Sequence, residues 1–173
     1  VALPNKEIAY VYNKEILQKL TDIIPQSTAI SIQEAIYSGN STALQNLLQK
    51  LLLESVSNFD TAHENFYHGL VLGLCVILDN RYEITSNRES GTGRYDIALT
   101  PKSGNLPGIL IELKAAKDAS AEQLRQLAQG ALTQIEEKQY DTTMNSRNIS
   151  PIFKYGVAFS GKNVEICVSD EVR

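Results

Sequence analysis

The sequence predicts an α/β (α+β) fold: a mixed central β-sheet flanked by helices, in the order αβββαββ, with an N-terminal helical extension. Three observations predict it. Apolar residues recur at helical spacing through the first 60 positions. After Asp60 the texture changes to short runs rich in β-branched and aromatic residues, bounded by turn residues. A single helix with its own start signal separates three of these runs from the last two. The expected division is a helical extension or linker over 1–60 and an α/β core over 61–173.

Each element has its reason. Ile8, Val11, Ile16, Leu20 and Ile23 mark one helical face that ends near Pro25. A short helix is expected after Ser31. Another begins at Ser41, with Leu44, Leu47, Leu48, Leu51 and Leu52 along one face. Asp60 or Thr61 can cap a helix that runs to about Leu78, whose apolar stretch Leu70–Leu78 reads as buried. Strands are expected at Tyr82–Thr85, Arg94–Leu99 and Gly108–Lys114. The last two are joined as a hairpin across the turn residues Pro101–Asn105. Ser120 and Gln123 have the spacing of a capping box, in which each side chain satisfies a backbone N–H of the other. Leu124, Leu127, Ala128, Ala131, Leu132 and Ile135 give the helix that follows an apolar face to about Lys138. Strands Tyr155–Ser160 and Val164–Val168 close the chain across a Gly161-Lys162-Asn163 turn.

Composition narrows the function classes. The chain has 173 residues, enough for one domain with an appendage. A formal net charge of -4 argues against a protein that coats nucleic acid through charge alone. It leaves open an enzyme whose acidic residues hold a metal that meets phosphates. No stretch reaches the ~18 apolar residues of a membrane-spanning helix. No signal peptide is visible; two thiols read as buried suit the expected cytoplasmic location. The chain opens on Val1 and its single methionine is Met144, which predicts a piece of a longer protein. Cys75 and Cys167 lie in apolar segments and read as buried thiols.

Three motif-like stretches fail on their physics. His63 and His68 are five residues apart, whereas a zinc-binding helix needs its histidines one turn apart. Gly156–Asn163 is near a phosphate-binding loop. It ends in Asn163 instead of Ser or Thr and leads into a strand, so a hairpin turn is expected. Gly91-Thr92-Gly93 lacks the third glycine of a dinucleotide loop.

One constellation carries chemistry. Strand alternation puts Glu112 and Lys114 on one face, embedded among Ile109, Leu110, Ile111 and Leu113. Charges in an apolar central strand are costly unless they are paired or bind metal. Asp96 sits in a similar setting, between Tyr95 and Ile97 on the hairpin partner. Two hard oxygen ligands suit Mg²⁺ or Mn²⁺, and a lysine beside them can orient the attacking water. The bland alternative is a structural ion pair between Lys114 and either carboxylate.

With Gly93–Leu99, Ile109–Lys114, Ala131–Ile135 and Lys138-Gln139-Tyr140 in this order, the chain resembles the PD-(D/E)xK nuclease superfamily, with its restriction-endonuclease-like core. Tyr95 stands where the family's pattern has Pro. Asn87–Gly91, Glu64–His68 and Leu3–Ile8 are similar to a bacterial branch in which the nuclease-like module follows an AAA-ATPase-like domain. The resemblance implies Asp96 and Glu112 as metal ligands and Lys114 as the catalytic lysine. It implies Glu64 near the metal or orienting Lys114, and Gln134 facing the site from its helix. Arg94, Lys138, Tyr140 and Arg88 would contact phosphate or the nucleic-acid backbone. Each has a plainer alternative. Glu64 suits a helix's first turn. Gln134 could be solvated, and Arg88 could pair with Glu89 in a loop. His68 is expected in the core, with lining the cleft as its alternative.

The leading expectation is therefore a Mg²⁺- or Mn²⁺-dependent nuclease of DNA, with RNA as the other substrate. The alternative is a non-catalytic module that binds nucleic acid or regulates an upstream AAA-ATPase-like domain. A third reading has Leu47, Leu48, Leu51 and Leu52 presented to a partner domain or a second copy, giving a homo-oligomer. Their plainer role is core.

Overall fold

The computed structural model describes residues 25–55, 64–78, 81–103 and 105–171. The helix expected before Pro25, the caps at Asp60 and Thr61, and His63 lie outside these residues. Helices α1 (Gln26–Tyr37), α2 (Ser41–Ser55) and α3 (Glu64–Leu78) precede strands β1 (Tyr82–Ser90), β2 (Gly93–Pro101) and β3 (Gly108–Ala115). Helices α4 (Ala121–Glu137) and α5 (Thr142–Ser146) follow, then β4 (Ile152–Ser160) and β5 (Asn163–Glu171).

The five strands form one mixed sheet in the order β1-β2-β3-β4-β5. Neighbours are antiparallel except β3 and β4, which run parallel and are linked through α4 and α5. A parallel pair cannot be closed by a tight turn, so the connection must cross the sheet with a helix. That requirement puts α4 on one face, directly over β3 and β4.

Helices α1, α2 and α3 cover the other face. Ile32, Leu48, Leu52 and Cys75 join Ile97, Ile111 and Phe159 of the sheet in one continuous apolar cluster. Leu48, Leu51 and Leu52 of α2 are buried in that cluster and Leu47 packs half-buried against it, which is the plainer of the two roles expected for them. Hydrogen bonds reinforce the packing. Tyr155 Oη donates to Ile36 O at 2.6 Å, and Tyr67 Oη donates to Gly161 O at 2.7 Å while its ring stacks on Phe159. Burial pushes the Cys75 thiol up to about 12, which leaves it inert; Cys167 is free and half-buried.

Several elements differ from expectation. α1 starts five residues before Ser31, because the Pro25 carbonyl accepts the N–H groups of Thr28 and Ala29 without any capping side chain. α2 begins at Ser41 as expected, with Asn40 Oδ1 capping it through Ala43 N at 3.0 Å. β1 continues to Ser90, so Arg88 and Glu89 are strand residues and not a loop pair. Glu89 is opposite Arg94, and Arg88 is opposite Tyr95. Cross-strand pairing overrides the polar, strand-averse sequence Ser86–Ser90. The short helix α5 carries no periodic signal; Met144 anchors it beneath Gly108.

Helix α4 has the capping box expected of it: Ser120 Oγ accepts from Gln123 N, and Ser120 N donates to Gln123 Oε1. Its docking is unusually close. A Cβ on Gly156 of β4 would lie 2.0 Å from Ala128 O and 2.6 Å from Leu132 N. Backbone meets backbone there, so no larger residue fits without moving the helix. Gly130, on the exposed side of α4, has nothing within 4 Å of a Cβ. Gly156→Ala is therefore expected to destabilise by on the order of 2–3 kcal/mol. Gly130→Ala is expected to stabilise by about 1 kcal/mol. Urea denaturation of the two variants checks both signs.

Candidate active site

The site begins where the sheet opens. β2 and β3 pair at Leu99↔Ile109, Ala98↔Leu110 and Ile97↔Ile111, and pairing ends there. The same register would set Asp96 opposite Glu112 and Tyr95 opposite Leu113. Instead, Leu113 N donates to the Asp96 carboxylate (Oδ2) at 2.8 Å. β3 remains paired with β4 past this point, through Glu112↔Gly156 and Lys114↔Ala158. β2 therefore leaves the ladder while β3 runs on, and Asp96 and Glu112 lie at the point of separation, the candidate cleft.

Strand alternation also slips at Asp96. Tyr95 and Ala98 both pack beneath α4, with Ile97 in the opposite core. The matching residue of β1, Asn87, has a left-handed backbone with φ of 53°. His68 of α3 reaches this kink. Its Nε2 lies 3.1 Å from Ser86 Oγ and 3.4 Å from both Asn87 Nδ2 and Asp96 O. His68 is half-buried, and its ring nitrogen lies among polar partners, including the Asp96 carbonyl, instead of in the apolar core expected for it.

Glu112, Lys114 and Gln134 form one network. Lys114 Nζ donates to Glu112 Oε1 at 3.1 Å and to Gln134 Oε1 at 2.8 Å. Gln134 Nε2 donates to the same Glu112 Oε1 at 2.5 Å and to Tyr140 Oη at 3.1 Å. Glu112 is only 3% exposed, and its Oε2 is buried with no hydrogen-bond partner. A buried carboxylate oxygen without a partner is rare and calls for an explanation. Burial foremost, then the Asp96 charge, pushes the Glu112 carboxyl up to about 6; Lys114 and the Asp96 backbone pull the other way.

The model of the PD-(D/E)XK nuclease superfamily matches residues 62–169. The chain belongs to this superfamily. No curated protein matches it significantly. A solved structure titled "Crystal structure of SSO0001" aligns at 12% identity with a TM-score of 0.32, covering 95% of this chain and 78% of that one. The superfamily's restriction-endonuclease-like core is the architecture seen here, a mixed five-stranded sheet flanked by helices.

Within this superfamily member the expected residues fall into four sets. Asp96, Glu112, Lys114 and Gln134 come together at the cleft. Arg88, Arg94 and Lys138 are exposed, and Lys138 closes α4 with its N–H on Gln134 O. Tyr140 differs from the phosphate contact that the resemblance implied. It is 3% exposed and its hydroxyl accepts from Gln134, because the α4–α5 turn folds it inward against Tyr95. The side chain of Glu64 lies outside the described residues. The residues that sequence reasoning missed are Ser90, Tyr95 and the Leu113 N–H; only the glycines at 91 and 93 hinted at a close contact there.

The site's chemistry fits a hard divalent cation. Asp96 and the open Oε2 of Glu112 are carboxylate oxygens, which suit an ion that keeps several of its waters. Among the described residues, no group of three or more His, Cys, Asp or Glu side chains gathers as a fuller cage.

The raised Glu112 carboxyl has a stability consequence. An unfolded glutamate titrates near 4.5, so between that pH and about 6 the folded state binds more protons than the unfolded state. The metal-free protein should lose about 2 kcal/mol of stability as pH rises through this window. Urea denaturation at pH 4.5 and 7 should show this loss in wild type. In Glu112→Gln the difference between the two should shrink by that amount.

Proposed function

We propose that this chain is a divalent-metal-dependent nuclease that hydrolyses phosphodiester bonds of DNA, or of RNA. The observation that carries the reading is the unpartnered Glu112 Oε2, buried beside Asp96 while its other oxygen is fixed by Lys114 and Gln134. Superfamily membership supports nuclease chemistry.

Asp96 and Glu112 would hold Mg²⁺ or Mn²⁺. When bound, such an ion lowers the pKa of a coordinated water and neutralises charge on phosphoryl oxygens. The chain's own groups prepare the rest. Lys114 has three N–H donors, and Glu112 and Gln134 take two. The third is left for a water or a phosphoryl oxygen at the mouth, where the side chain is 33% exposed. Gln134 Oε1 accepts from the Lys114 ammonium and so helps to fix its position. Leu113 N holds the Asp96 carboxylate in the cleft, so both acids are set before substrate arrives. Glu64, one turn before His68 on α3, fits a role beside them. Arg88, Arg94 and Lys138 fit contacts with the nucleic-acid backbone.

The resemblance further supports an upstream AAA-ATPase-like domain and a bacterial source; a cytoplasmic location and self-association belong to the same proposal. Among the described residues no helix is long and apolar enough to cross a membrane. A non-catalytic, nucleic-acid-binding or regulatory module is the second reading. It is favoured by the Glu112–Lys114 ion pair, which occupies the lysine in the resting site.

Cleavage of plasmid and single-stranded DNA with Mg²⁺ or Mn²⁺ decides between them. Asp96→Ala and Lys114→Ala should each lower the rate by at least about 100-fold. Calorimetric Mn²⁺ binding should vanish in Glu112→Gln. Cleavage that is equal in wild type and both variants would sink the nuclease reading. Mn²⁺ binding without any cleavage would favour the module.

A further inference from the structure

The tip of the β1–β2 hairpin grips the α4–α5 turn, and that turn reaches the site through Tyr140. Ser90 Oγ donates to Tyr140 O at 2.8 Å, and Thr92 N donates to Lys138 O at 2.9 Å. Gly91 has φ of 58°, and a Cβ there would lie 2.0 Å from Lys138 O and 2.5 Å from Gln139 O. Only glycine allows both that backbone conformation and that contact. A Cβ on Gly93 would stand 3.1 Å from the ring and hydroxyl of Tyr140. Tyr95 meets the same ring edge-on, with centroids 6.2 Å apart. The α4–α5 turn is thus held by main-chain bonds and by a closely packed aromatic ring.

That ring ends at the site. The Gln134 amide has two N–H groups and one carbonyl, and all three are engaged. One N–H goes to Glu112, the other to Tyr140, and the carbonyl accepts from Lys114. A flipped amide would turn its oxygen toward a carboxylate and its NH₂ toward an ammonium. The Tyr140 hydroxyl is the neutral member of this set. It takes the second N–H and fixes the plane of the amide about that bond.

We infer that the hairpin tip and Tyr140 form a positioning relay: Ser90–Gly93 hold the 138–140 turn, Tyr140 holds the Gln134 amide, and Gln134 holds Lys114. Tyr140 is a positioning residue acting from inside the protein. The catalytic consequence rests on the nuclease reading, whereas the structural relay does not.

Tyr140→Phe keeps the ring against Tyr95 and Gly93 and removes only the hydroxyl. In the metal-free protein, the side-chain amide resonances of Gln134 should move toward those of exposed glutamines in this variant. Ser90→Ala should move them in the same direction by less. With Mg²⁺ and DNA, Tyr140→Phe should lower kcat about tenfold with KM unchanged, the effect of one hydrogen bond on a positioned group. The double variant Tyr140→Phe/Gln134→Ala should be no slower than Gln134→Ala alone. An unmoved Gln134 amide in Tyr140→Phe, or additive losses in the double variant, would overturn the relay. If wild type cleaves nothing but the amide moves, the nuclease reading fails and the relay stands.

Discussion

A single exchange of hydrogen-bond partners shapes this molecule's working end. Leu113 N–H has no β2 strand partner, because β2 has left the ladder, and the Asp96 carboxylate replaces it. A backbone donor in that position must be satisfied if the sheet is to open without penalty. The side chain that satisfies it is also an acid of the cleft. Opening the sheet and placing the carboxylate are therefore one event. The slip in alternation at Asp96 and the left-handed Asn87 across from it are the local distortions that accompany it. Such distortions persist where surrounding contacts over-determine them. Here His68 and the buried Tyr95 supply those contacts.

The second acid is placed by the opposite logic. Glu112 sits on a strand that stays paired with β4, so its backbone is rigid and its side chain points under α4. Its burial is unfavourable in isolation, as the raised carboxyl shows. Lys114 and Gln134 offset that cost at one oxygen and leave the other open. One acid is thus fixed by a break in the sheet and the other by its continuity. The elements responsible, β2, β3 and α4, are consecutive in the chain.

Much of this was legible in the sequence, and for physical reasons. Glu112 and Lys114 stood out because charge in an apolar strand demands a partner. Helix α4 was legible because its capping box and apolar stripe are local signals, and its polar Gln134 lay beside that stripe. Asp96 was legible as an acid between apolar neighbours, but its alternation slip was not, since that follows from the loss of pairing with β3. Tyr140 could not be placed by sequence reasoning. Its inward turn depends on Ser90, 50 residues earlier, and on a glycine close to Lys138 and Gln139. The polar run Ser86–Ser90 reads locally as a loop, and only its partner strand makes it β. In each case the illegible part is a pairing or contact with another segment, which the local residue pattern does not carry.

Gly156 sets a different kind of limit. Helix and sheet touch there through main-chain atoms, so the height of α4 above β4 does not depend on the bulk of intervening side chains. Apolar residues elsewhere in that interface, such as Leu124 and Leu132, can then exchange for others of similar size without lifting the helix off its seat. Drift in the core is decoupled from the placement of Gln134. The site gains mutational robustness from a position at which almost nothing can change.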